Sequence, residues 1–260
     1  VKKLWFLTAI LWATATCAAN AAETLKVGVS AGPYAEVLEF AGRLYKEKYG
    51  IEVKVVEFAD YTLPNAALAQ GDIDFNNYQH LPYLENQVKT RGYDIVPLEK
   101  SIIVPLGIYS KKLASLDQLA NGASFAIPND PANLARTLLL LQKAKLVSLP
   151  SDAGVHTTLA DIRDNPKHLK FVELDAAQLP RALDDVAAGA VTLNYAVASG
   201  LDPKKALFRE DADTQWNLWF ASRSKDKDNE RIWNYIRLYR SPEVKAFIEK
   251  RFEGTIIPTW

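Results

Sequence analysis

Two hydrophobic periods alternate along the chain. Thr24 to Val29 places Leu25, Val27 and Val29 at every second position, and Ile51 to Phe58, rich in Val, repeats that spacing, which is the pattern of half-buried strands. Between them Tyr34 to Tyr49 carries apolar residues at helical spacing until Gly50 stops the run. Strand, helix and strand in that order predict a parallel sheet covered by helices. The pattern continues with a short helix over Leu63 to Gln70 ended by Gly71, a strand over Asp72 to Asn76, and a helix over His80 to Thr90 closed by Gly92. Ser101 to Tyr109 is apolar and β-rich but contains Pro105, which cannot donate to a ladder and suits a crossing segment or hinge.

Beyond Pro105 the pattern predicts a short helix over Leu116 to Leu119 and a strand over Ser124 to Ile127. A helix over Asn133 to Lys145 follows, announced by Asp130-Pro131 and buried on several sides at Leu138 to Leu141. Leu169 to Leu174 reads as a strand, Gln178 to Ala188 as a helix, Val191 to Leu193 and Trp216 to Ser222 as strands, and Ile232 to Tyr239 and Pro242 to Phe252 as closing helices. There is no repeat, low-complexity block or long linker. The expected organisation is two α/β lobes sharing crossing segments, with residues 23–104 and 213–260 in lobe I and 105–212 in lobe II.

The first 22 residues read differently. Lys2-Lys3, the apolar run Leu4 to Ala15 and the small residues after it have the order of a secretory signal peptide, which predicts work outside the cytoplasm, in the periplasm. The run is shorter than the ~20 residues that cross a bilayer. Two endings compete: Ala19-Asn20-Ala21 fits ordinary cleavage near Ala21 or Ala22, the favoured reading, while Thr14-Ala15-Thr16-Cys17 resembles a lipobox in which Cys17 would be lipidated and the protein membrane-associated.

Composition narrows the function. With 48% hydrophobic and 24% charged residues the chain is that of a soluble globular protein, and 31 basic against 31 acidic residues give no global attraction to nucleic acid. Cys17, the single cysteine, excludes an internal disulfide and a CxxC metal site. His80, His156 and His168 stand far apart with no HExxH spacing, and no phosphate-binding glycine loop or GxSxG elbow occurs. The paired acids Asp72 with Asp74, Asp184 with Asp185, and Asp211 with Asp213 lie at turns or helix edges, where solvated carboxylates are common. Neither an enzyme nor a cofactor or metal is expected, and the chain reads as a monomer.

Polar and aromatic clusters punctuate the ends of the predicted elements: Phe58-Ala-Asp-Tyr-Thr-Leu-Pro-Asn65, Asn77-Tyr-Gln-His-Leu-Pro-Tyr83, Ile127-Pro-Asn-Asp-Pro-Ala-Asn133 running into Arg136 and a leucine-rich helix, and Ala177-Gln-Leu-Pro-Arg-Ala-Leu-Asp184. In these stretches, and from Leu25-Lys-Val-Gly-Val29 to Trp260, the chain resembles the NlpA/MetQ family of methionine-binding proteins that serve ABC importers. The PNDP-x-N-x-x-R-x-LLLLQ and QHxPYL stretches are the most specific elements of that likeness.

The resemblance implies a two-lobe periplasmic binding protein fold, type II-like, with the ligand in the cleft between lobes, and delivery to an ABC permease working with an ATPase. It implies that Arg136 clamps the ligand carboxylate, for which the donor fork of a guanidinium is suited. It also implies that Asn194 and Asn217 bond the ligand's amino and carboxylate groups, and that Tyr61, Tyr78, His80 and Tyr83 wall its side chain. Aromatic rings suit a thioether. Tyr78 stands where the family often has Phe, and Trp216 and Trp219 flank Asn217 where smaller aliphatic residues are frequent, so the ligand implied is methionine, L- and in addition D-, or another small amino acid, dipeptide or sulfur compound; an enzyme on the same scaffold is the remote alternative.

Overall fold

The computed structural model describes residues 24–212 and 214–260. The signal-peptide reading and Cys17 lie outside the described residues. The chain runs β1 (Thr24–Ser30), α1 (Tyr34–Tyr49), β2 (Glu52–Phe58), α2 (Leu63–Gln70), β3 (Phe75–His80), α3 (Leu81–Arg91), β4 (Ile95–Ile103), β5 (Gly107–Tyr109), β6 (Ser124–Pro128), α4 (Pro131–Lys143), β7 (Lys170–Leu174), α5 (Leu179–Ala182), β8 (Ala188–Val191), α6 (Leu193–Ala198), β9 (Phe208–Arg209), β10 (Asn217–Arg223), α7 (Glu230–Tyr239), α8 (Pro242–Phe252) and β11 (Ile257–Pro258).

These strands form two sheets. The first has the order β11-β4-β10-β3-β1-β2, with β1 parallel to both β2 and β3, and with β10 antiparallel to β3 and β4. The second has the order β7-β6-β8-β5-β9, with β6 parallel to β7 and β8. The chain passes between the sheets twice, at 104–106 and again after Arg209, and Pro105 lies in the first crossing. This is a two-lobe α/β fold with a cleft between the lobes.

Each sheet has its own apolar core. Val27 and Val29 of β1 pack with Leu38 and Ala41 of α1 and with Ile232, Tyr235 and Ile236 of α7. In the second sheet Phe125 and Ile127 pack under Leu138 and Leu141 of α4. Each such fully buried Val, Leu, Ile or Phe side chain stabilises the fold by roughly 1.5–3 kcal/mol. Gly50 ends α1 in the left-handed conformation, φ 70°, and its N–H bonds to the Lys46 carbonyl.

Several elements depart from the sequence reading for local reasons. β3 lies at Phe75–His80, not Asp72–Asn76, because its side chains are mostly polar yet all buried, so no apolar alternation marks it. β4 begins at Ile95 and tolerates Pro97 because β11 covers β4 only at Ile102 and Ile103, leaving Pro97 on a free edge. The expected helix over Gln178–Ala188 contracts to the four-residue α5, and small residues from Ala188 to Val191 form β8. α6 begins at Leu193, where a strand was expected to end.

Candidate functional site

The polar clusters converge because of strand direction. β1, β2 and β3 end at Ser30, Phe58 and His80, and β6 and β8 end at Pro128 and Val191, so the segments leaving their carboxyl ends face one another across the cleft. Open α/β sheets bind ligands at such ends. Between them lies a small cavity of about 20 Å³, room for about one water molecule. One side presents Tyr34, Tyr61, Tyr78, Gln79, His80, Tyr83 and Leu218, the other Asn133, Arg136, Thr192 and Asn194, with Val104 from the crossing segment.

The aromatic wall is fixed by its own hydroxyls. Tyr78 and Tyr83 each donate to the Tyr61 carbonyl at 3.0 Å, so the extra hydroxyl of Tyr78 is satisfied by backbone. Their ring centroids lie 6.2 and 6.0 Å from that of Tyr61. The Tyr61 hydroxyl reaches across the cleft, donating to Asn194 Oδ1 at 2.6 Å and lying 2.7 Å from Thr192 Oγ1, which therefore donates to it. Burial raises the pKa of Tyr61, Tyr78 and Tyr83 above that of an ordinary phenol, so all three act as neutral donors.

His80 joins the wall to α4. Its Nδ1 accepts the Tyr83 backbone N–H at 3.3 Å, capping α3, which leaves the proton of the neutral ring on Nε2, 3.2 Å from Asn133 Oδ1. Burial, and then the nearby Arg136 charge, lower the His80 pKa to about 3. Asn133 in turn donates through Nδ2 to both oxygens of Asp130, the N-cap of α4. Behind β3, Asn65 and Gln79 exchange reciprocal amide bonds of 2.8 and 2.7 Å, and Asn76 donates to Asn65 at 2.9 Å. This closed amide cluster explains how a polar strand can be buried.

Arg136 lies on the buried face of α4. Its Nε and Nη2 meet Glu210 Oε1 and Oε2 at 2.8 and 2.5 Å, and Nη2 also donates to the Val104 carbonyl at 2.9 Å. The ring of Trp216 lies 5.2 Å from the guanidinium carbon. The bidentate fork expected for a ligand is therefore occupied by an internal carboxylate, and the part left to the cavity is Nη1.

Of the residues expected from sequence, Tyr61, Tyr78, His80, Tyr83, Arg136 and Asn194 come together on the cavity. Asn217 is buried at the start of β10, beside the lining residue Leu218, but is not itself among the lining side chains. Neither Trp216 nor Trp219 lines the cavity; Trp216 packs on Arg136 and His80, and Trp219 lies under Lys100. Sequence reasoning missed Tyr34, Gln79, Asn133, Thr192 and Glu210. Gln79 and Asn133 sit inside the two most specific motifs and were within reach; Glu210, 74 positions from Arg136, carries no local signal. Among the described residues no cluster of three or more His, Cys, Asp or Glu is placed to hold a metal ion.

The family model of the NlpA lipoproteins matches residues 25–260. The chain belongs to the NlpA lipoprotein family. Within reach of this member, the D-methionine-binding lipoprotein MetQ of Salmonella typhimurium is 46% identical over 239 residues, covering 91% of this chain and 88% of its own. Outer membrane lipoprotein 3 of Mannheimia haemolytica is 41% identical over 261 residues, covering 100% of this chain and 99% of its own. A nutrient-binding protein of Burkholderia cenocepacia, solved bound to methionine, is 48% identical with a TM-score of 0.86, covering 91% of this chain and all of its own. The likeness to these NlpA relatives spans both sheets and the cavity between them.

Proposed function

We propose that the protein is an extracytoplasmic solute-binding component of an ABC importer that encloses one methionine between its lobes and delivers it to a membrane permease working with an ATPase. The observation that carries this reading is the cavity itself: one buried guanidinium and two asparagines on one side and four phenols with a neutral histidine on the other, at the facing carboxyl ends of two parallel strand sets. A carboxylate at Arg136, an amino group near Asn194 and Thr192, and an unbranched thioether against Tyr61, Tyr78 and Tyr83 match the polarity of each part. Asn217 is proposed as a second amide contact from the base of β10. The methionine-bound relative supports the choice of ligand.

On this reading the protein binds stoichiometrically and turns nothing over. It is monomeric and periplasmic, soluble or anchored through Cys17. Denaturing the purified protein and identifying the released compound by mass spectrometry tests the ligand. Methionine at about one mole per mole is expected; another amino acid, dipeptide or sulfur compound would keep the binding role and replace the ligand, and conversion of added ligand would overturn the binding role.

A further inference from the structure

We propose that Glu210 is a positioning residue of this site: it holds the Arg136 guanidinium so that a ligand carboxylate is received at Nη1 alone, and it neutralises that guanidinium so that a zwitterionic amino acid is preferred over the matching anion without an amino group. The inference rests on the reading of the cavity as an amino-acid site.

A guanidinium has five N–H groups in one plane. Three are occupied here: Nε–H by Glu210 Oε1, one Nη2–H by Glu210 Oε2, and the other by the Val104 carbonyl. The Trp216 ring covers a face. What remains is the Nη1 pair, and Arg136 is a cavity-lining residue. A carboxylate arriving from the cavity thus meets a guanidinium whose plane and rotation are already set, which limits the ordering cost of binding.

The same pair sets the charge of the site. The side chains of Arg136 and Glu210 are 2% and 5% exposed. Of the lining residues only Arg136 carries a charge, since His80 is neutral, and Glu210 cancels it from behind. A zwitterion brings no net charge into this environment, whereas an anion brings one that the neutralised guanidinium does not balance. Glu210 Oε2 also accepts the Leu106 backbone N–H at 2.8 Å, so one carboxylate ties α4 to both crossing segments and keeps the clamp in register with the hinge region.

The test begins with the unaltered protein. Nitrogen-15 NMR of the Arg136 guanidinium, assigned by comparison with Arg136→Lys, should show the Nη1 resonances shift on adding L-methionine while Nε and Nη2 keep their positions. Comparable movement of Nε and Nη2 would mean that the ligand displaces Glu210, and would overturn the proposal. In Glu210→Gln, the ratio of affinities for L-methionine and for 4-(methylthio)butanoate, the same molecule without its amino group, should fall at least tenfold. A merely structural role would weaken both ligands alike and leave the ratio unchanged, which overturns the inference alone. Failure of the unaltered protein to bind any amino acid would overturn the functional reading and this inference with it. Should Glu210→Gln not fold, the NMR result decides.

Discussion

Gly32 and Asn194 meet so closely that a Cβ on Gly32 would lie 2.7 Å from the Asn194 Cβ and 3.0 Å from its Cα. Gly32 follows β1 of the first sheet and Asn194 lies in the first turn of α6 beside the second, so the absence of a side chain at one residue lets the two lobes touch. The contact continues through Asn194 Nδ2 to the Ala31 carbonyl and through the Tyr195 hydroxyl to the Ala59 carbonyl.

Gly32→Ala should therefore hold the lobes apart. Its φ of 144° is costly for any residue with a Cβ, and the obstructing atoms are partly backbone and cannot rotate away. We expect methionine affinity to fall at least tenfold. Small-angle scattering should show the ligand-induced compaction of the unaltered protein and none in the variant; equal compaction of both would contradict the assignment of closure to this contact.

Tyr61→Phe removes the hydroxyl that bonds Thr192 and Asn194 while keeping the ring. Both partners are buried, and stranding them costs about 1–3 kcal/mol. Thermal unfolding should show a lower midpoint, and Tyr78→Phe should show a smaller loss because its hydroxyl shares the Tyr61 carbonyl with that of Tyr83.

The pH dependence of stability should carry the mark of His80. Its folded pKa, about 3, lies below the unfolded value near 6.5. The unfolded chain therefore binds the extra proton first, and the stability present above pH 6.5 is lost as pH falls, by about 2 kcal/mol between pH 6.5 and 5. His80→Asn keeps an N-cap acceptor but does not titrate, so denaturant titrations should show a flatter profile over that window.

How far the site could be read from sequence depended on whether its signals were local. Tyr34–Tyr49 and Pro242–Phe252 were legible to the residue because Gly50 and Pro242 mark their ends. Tyr61, His80 and Arg136 stood in motifs at element ends, where a parallel sheet presents its binding residues. β3 was misplaced because its polar side chains are paid for by one another in the Asn65–Asn76–Gln79 cluster, a long-range fact with no periodicity. Glu210 was hidden by its neighbours: beside Asp211 and Asp213 it reads as one more solvated acid, and only the crossing of the chain over α4 buries it against Arg136.

The most direct test of the account is calorimetric titration of residues 23–260, unfolded and refolded to remove carried-over ligand, with L-methionine. Saturable one-to-one binding, competed by few other amino acids, is the predicted result; a refolded chain that gives no heat with methionine and cannot be competed by it for any other ligand would contradict the central claim.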